Sequence, residues 1–320
     1  MTLPAAALVL ALLVLPHLLH VRRAAPGPAA AVWAATLALR AASALFFSVY
    51  VVFFVPHTPL FDAVTHWCLE AVVPLLTTRL DVDGHAIGDA AVALPAILIA
   101  ASLFFAGYGA ARAACAVRRL LHQVVGQGPE DALLVGGEPV VLAVAGLTRP
   151  RVVVSAGALT ALDDDELAAG LAHERGHIAR RHRFVLAGAH VCQAVAAGIP
   201  GTRNVVRELA FHLERDADRW ALTRRHDRLV LAAAICKAAV ASGPATSRLT
   251  WLGGGRHRTH ERVAELLDDE PALSAGRCHG IRALAVVSAV VALAAASVLP
   301  ATVMAGATRH AAPPDGHCLD

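Results

Sequence analysis

The chain has 320 residues, 57% of them hydrophobic and 17% charged, with a mean hydropathy of +0.57. It is too apolar for an ordinary soluble domain and is expected to span a bilayer. The net charge of +3 comes from 27 Arg and a single Lys against 25 acidic residues, a juxtamembrane pattern; no nucleic-acid-binding module accompanies it, and no nucleic acid partner is expected.

The first apolar run, Leu3 to Leu19, has its basic residues behind it, at His20, Arg22 and Arg23. A cleaved signal peptide carries them in front, so an uncleaved span over about 3–20 with an external N-terminus is expected. A second span is expected over about 35–56, with Arg40 near its start snorkelling to the cytoplasmic interface. The loop 56–89 has only Arg79 against Asp62, Glu70, Asp81, Asp83 and Asp89, and belongs outside. A third span, about 90–111, runs into Arg112, Arg118 and Arg119; a fourth, about 283–305, follows Arg277 and Arg282 and leaves a short external tail. Charge bias therefore divides the chain into a membrane region at 1–119, a cytoplasmic domain at 120–276 and a final span within 277–320, set in the plasma membrane.

Gly126-Gln127-Gly128-Pro129 opens the cytoplasmic domain. Residues 132–135 and 140–145, around Gly136-Gly137-Glu138-Pro139, read as a strand hairpin, and Arg151 to Ser155 as the next strand. A small sheet of this kind offers an edge on which a peptide can extend. Asp163 and Glu166 then form a helix-capping signal, and Leu167, Leu171 and Ile178 give the helix an apolar face.

On that helix lies His173-Glu174-Arg175-Gly176-His177. Residues four apart stack on one side of a helix, so both imidazoles face one ion. Glu174, turned about 100 degrees from His173, stands beside that ion, where it can take a proton from water held there. With 17 His and ten Glu, composition alone yields roughly 0.03 chance matches in the chain, so the pattern is informative.

A catalytic zinc site needs a third protein ligand and an open fourth position. In the segment RELAFHLERDADRWAL, Glu214 and Asp218 are four apart and face one way: Glu214 as zinc ligand, Asp218 hydrogen-bonded behind a ligating imidazole. Asp216 points elsewhere, and Glu208 is the fallback ligand. Arg207 and His260 are candidates for oxyanion stabilisation. The apolar stretches 184–199 and 229–241 are short and polar-interrupted, and fit core helices or helices lying against the membrane. Cys115, Cys192, Cys236 and Cys278 are expected as free thiols, while Cys68 and Cys318 share the external side and are a candidate pair.

His173-Glu174-x-x-His177 followed by Glu214-x-x-Ala217-Asp218 resembles the gluzincin membrane peptidases of the HtpX and CAAX prenyl protease group, and their relatives the BlaR/MecR-type antirepressor peptidases. Flanking matches are Arg151-Val-Val-Val-Ser155, Arg180-Arg181-His182 and Thr259-His260-Glu261-Arg262-Val263, so the resemblance covers roughly 130–270. It implies a zinc (Zn2+) endopeptidase with Glu174 as base and the metal on His173, His177 and Glu214. The expected architecture is mainly α and integral to the membrane: about four transmembrane helices and a cytoplasmic α+β zincin-like domain with a small sheet. The expected partners are the lipid bilayer and a polypeptide substrate, a regulator such as a transcriptional repressor or a membrane-associated protein. The tail after the fourth span is too short for a penicillin-binding sensor domain. A second reading is a non-catalytic membrane receptor or scaffold with a vestigial metal site, or a structural one closed by His182 or His212 as a fourth ligand.

Overall fold

The computed structural model describes residues 3–19, 21, 24–59, 63, 84–137, 140–241, 258–268 and 275–311. Cys68 and Cys318 lie outside them, and Cys115, Cys192 and Cys236 are free. The structure is mostly helical with one small mixed sheet.

The first helix, α1, spans Leu3–Leu18, 16 residues and shorter than a full crossing. Helix α2 (Pro26–Phe54) starts earlier than its hydropathy suggests, because Pro26 and Pro28 occupy its first turn, where a missing N–H is harmless. Helix α3 covers Gly84–Leu121. The last helix among the described residues, α10, spans Ala275–Ala311 and packs closely on α2. Three described stretches are long and apolar enough to cross a membrane: Pro26–Phe54, Val92–Leu121 and His279–Ala305.

On α10, Ile281, Leu284, Ala285, Ser288 and Ala292 recur at helical spacing and are all buried, several of them small enough to let α2 approach. Arg40 departs from expectation. With α2 beginning at Pro26 it sits in mid-helix, 6% exposed, and does not snorkel outward. Its guanidinium donates to the carbonyl of Pro200 at 2.7 Å and meets His17 Nε2 at 3.3 Å. A nearby carbonyl satisfies the charge that an outward path would otherwise have had to hydrate.

Four strands follow: β1 (Val124–Gln127), β2 (Leu133–Val135), β3 (Leu142–Ala145) and β4 (Arg151–Ser155). Their order is β1-β2-β4-β3, with β2 parallel to β4 and the other two pairings antiparallel. The expected hairpin between 132–135 and 140–145 is therefore wrong: β4 inserts between those strands, and the hairpin is β3–β4. The reason is burial. Val152-Val153-Val154 is an unbroken apolar run, buried on both faces, and such a strand belongs in the interior of a sheet. Ser155 ends it and fastens its surroundings, its Oγ accepting from the N–H of Ala158 (3.1 Å) in the short helix α4 (Ala156–Ala161) and from that of Val141 (2.9 Å).

Helix α5 (Asp164–Ala179) opens with the expected capping box: Asp163 accepts from the Glu166 N–H at 2.8 Å, and Glu166 accepts from the Asp163 N–H at 3.0 Å. Leu167 and Leu171 pack on Val152 and Val154 of the sheet. Helices α6 (His182–Val195) and α8 (Arg228–Ala241) are 14 residues each, too short to cross a bilayer. Between them α7 (Thr202–Thr223) runs along α2, and α9 (Thr259–Leu267) packs on α8.

Candidate metal centre

The centre is made by α5 and α7, and a glycine sets their separation. A Cβ on Gly176 would stand 3.2 Å from Ala217 Cα and 3.0 Å from Trp220 Cβ, so any side chain there would have to push α7 back, and glycine lets it approach this closely. One turn along α7 from that contact is Glu214.

Three ligand side chains converge. His173 Nε2 and His177 Nε2 are 3.2 Å apart, Glu214 Oε2 is 3.5 Å from the first, and Glu214 Oε1 is 3.5 Å from the second. Nitrogen and oxygen ligands about 2.0–2.1 Å from a tetrahedral ion lie roughly 3.3 Å from one another, so the triangle fits zinc. Among the described residues this is the one group of three metal-binding side chains so close together. Behind it, Asp218 Oδ1 lies 2.8 Å from His173 Nδ1, a charge contact on the side of the ring away from Nε2, which faces the other two ligands.

Arg262, on α9, was seen in the sequence only as part of a flanking match. Its Nη1 donates to Glu214 Oε2 at 2.8 Å, while Nε and Nη2 donate to Asp218 Oδ2 and Oδ1 at 2.8 and 2.6 Å. Burial by itself would favour the neutral acids, but the guanidinium dominates and holds both carboxyls below their usual range. The two carboxylates in turn push Arg262 upward against its own desolvation. Glu214, Asp218 and Arg262 together leave one negative charge, which suits a cation.

The imidazoles divide. Burial works against a charged His173, yet Asp218 beside it lifts its pKa to about 10. Burial takes His177 down to about 3, so this ring is neutral. Glu174 is raised to about 7, first by burial and then by the neighbouring Glu214, and its carboxylate accepts the N–H of Val144 on β3. A carboxyl tuned to this range is suited to take and return a proton near neutrality.

Other sequence candidates fall elsewhere. Glu208 pairs with Arg258 at 2.6 and 3.0 Å and is no ligand. Arg207 is exposed and bonded to Asn204; His260 is also exposed, so neither faces the centre as an oxyanion group. Asp216 points away from the three ligands, toward His182 at 3.1 Å. His182 and Asp216 were not assigned roles in an enzyme site, and only the folded chain brings them together.

Two imidazoles and a carboxylate with a second carboxyl beside them are compatible with a metal site of the kind metallopeptidases use. Residues 110–210 match the model of peptidase family M48, which supports a metallopeptidase; the matched stretch contains His173, Glu174 and His177 and ends four residues before Glu214. Neither the curated proteins nor the solved structures yield a match.

Proposed function

We propose that the chain is a zinc-dependent membrane endopeptidase, with His173, His177 and Glu214 as ligands, Glu174 as catalytic residue and Asp218 orienting His173. The observation that carries this reading is the triangle of ligand atoms with a carboxyl of neutral pKa beside it. Zinc in this cage supplies Lewis acidity toward a carbonyl and lowers the pKa of water. Glu174 takes the proton from the attacking water and returns it to the departing amine. Strand β3, at the end of the sheet and touching Glu174 through Val144, offers the edge along which an extended peptide lies.

Charge bias supports a multi-pass protein of the plasma membrane with this domain in the cytoplasm. The substrate class is a polypeptide, and the resemblance to antirepressor peptidases favours a regulator such as a transcriptional repressor, or a membrane-associated protein. The receptor reading with a closed metal site is less well supported, because neither proposed fourth ligand joins the triangle. His182 engages His177 and Asp216 through its two nitrogens, and His212 Nδ1 lies 3.0 Å from Arg215.

Metal analysis and cleavage of an unfolded protein substrate test the proposal on purified full-length chain beside Glu174→Gln. One zinc per chain in both, with cleavage in the parent alone, is the expected result. Folded parent without zinc overturns the metal assignment, and undiminished cleavage by the variant overturns the role of Glu174.

A further inference from the structure

The two ligating imidazoles are supported differently. His173 rests directly on a carboxylate, whereas behind His177 stands another imidazole: His182 Nδ1 is 3.0 Å from His177 Nδ1, and His182 Nε2 is 3.1 Å from Asp216 Oδ2. We infer that His182 and Asp216 are positioning residues, a two-member relay that fixes the ring orientation and tautomer of His177 for metal binding. This rests on the zinc reading above.

Hydrogen accounting gives the relay one direction. For Nε2 of His177 to present a lone pair to the ion, its hydrogen must sit on Nδ1. His182 Nδ1 then accepts that hydrogen, and the single hydrogen of a neutral His182 is left on Nε2, pointing at Asp216. The reverse tautomer of His182 sets two donors against each other at one end and two acceptors at the other. With His182 only 2% exposed, water is a poor substitute for either partner. Arg180 Nε, 3.6 Å from the same Asp216 oxygen, supplies a positive charge at the far end. Both His177 and Asp216 therefore depend on one buried ring.

Chain geometry explains why a histidine can stand there. Helix α5 ends at Ala179, and Arg181 takes a left-handed conformation (φ 56°) that turns the chain sharply. His182, the first residue of α6, is thereby folded back over the last turn of α5, five residues after His177. Asp216 arrives from α7, two residues beyond Glu214 and so about 200 degrees around the helix from the ligand-bearing face. The relay thus joins three helices, and α6 itself packs on the apolar helices α2 and α3.

The test uses full-length protein in detergent and three variants: His182→Leu, His182→Gln and Asp216→Asn. The readouts are zinc affinity by chelator competition, the visible absorption of the cobalt(II)-loaded protein, and melting of the metal-free protein. Leu fills space without hydrogen bonding; Gln has an acceptor oxygen and a donor nitrogen spaced much like the two ring nitrogens. His182→Leu should weaken zinc binding about 10–100-fold and alter the cobalt spectrum, as loss of a partner behind a metal ligand does. His182→Gln should restore most of both, and Asp216→Asn should fall between. Equal losses in His182→Leu and His182→Gln, tracking a lowered melting point, would mean that zinc affinity follows general destabilisation and not these hydrogen bonds, and would overturn the relay. Parental affinity in His182→Leu overturns it as well, leaving the zinc reading standing. A parent protein that binds no zinc overturns both.

Discussion

Arg262 grips Asp218 with two nearly parallel hydrogen bonds, 2.8 and 2.6 Å long, and uses its remaining nitrogen on Glu214. All three side chains are buried. Replacing Arg262 by Met leaves two buried carboxylates with only the His173 imidazolium beside them, and breaking a buried pair in this way costs about 3–5 kcal/mol. Denaturant unfolding of the metal-free protein in micelles should show that loss. Arg262→Lys should lie between, keeping the charge without the planar fork, and saturating zinc should recover part of the deficit in both. An unchanged midpoint for Arg262→Met would show that the clamp contributes little.

Metal uptake should release protons in a number that His173 controls. With its pKa near 10, this ring carries a proton at pH 8 that ligation must displace; His177, near 3, carries none. Calorimetry at pH 8 in buffers of differing ionisation enthalpy is expected to report about one proton released per zinc. Asp218→Asn should reduce the number. The same raised pKa stabilises the metal-free fold fully below pH 6.5, and that contribution fades as pH climbs through about 10.

Glu174 runs in the opposite sense to an ordinary paired carboxylate. Its pKa rises from 4.5 to about 7 on folding, so the folded chain holds more protons across that window and stability falls as pH increases through it. Glu174→Gln should therefore melt above the parent at pH 8, the gap narrowing toward pH 4.5, in metal-free protein. Catalysis needs the ionised form, and a bound cation lowers its pKa further. The acid limb of kcat/KM should fall at or below pH 7; a limb well above 7 would argue for another base.

Gly176→Ala should weaken zinc binding and lower the melting point together. Alanine gains roughly 1 kcal/mol over glycine inside a helix, but overpacking at a tight contact costs about 1–3 kcal/mol. Here the added methyl meets the backbone of α7 at Ala217, so relief must come from moving the helix that carries Glu214. A variant that melts higher and binds zinc as well would show that the two helices can part without harm.

What the sequence made legible followed from how local each signal is. His173, Glu174 and His177 lie within five residues, and Glu214 and Asp218 within one turn, so helical spacing alone set their directions. The capping box at Asp163 and Glu166 is equally local. Arg262 lies 44 residues beyond Asp218, and no periodicity links two charges at that distance. His182 stood in view beside the motif, but its role depends on the left-handed turn at Arg181. Asp216 was set aside because it left the ligand face, which is what directs it to His182. Strand order failed for a related reason: pairing across a sheet is non-local, and the spacing of the first two strand segments suggested a hairpin until the burial of Val152-Val153-Val154 placed β4 between them.

Helix α7 presents Glu214 and Asp218 on one side and Val205, Leu209 and Leu213 on another, and those three share a core with Val32, Trp33 and Leu37 of α2 and with Leu284 of α10. The domain that carries the candidate centre has clusters of its own around Leu171 and Leu231, but the outer side of α7 is covered only by the apolar helices. A fragment cut at residues 120 and 276 would carry a bare apolar flank where the bundle had been, and would tend to aggregate in water. The same continuity gives bilayer thickness or a tilt of α2 a mechanical route to the position of Glu214.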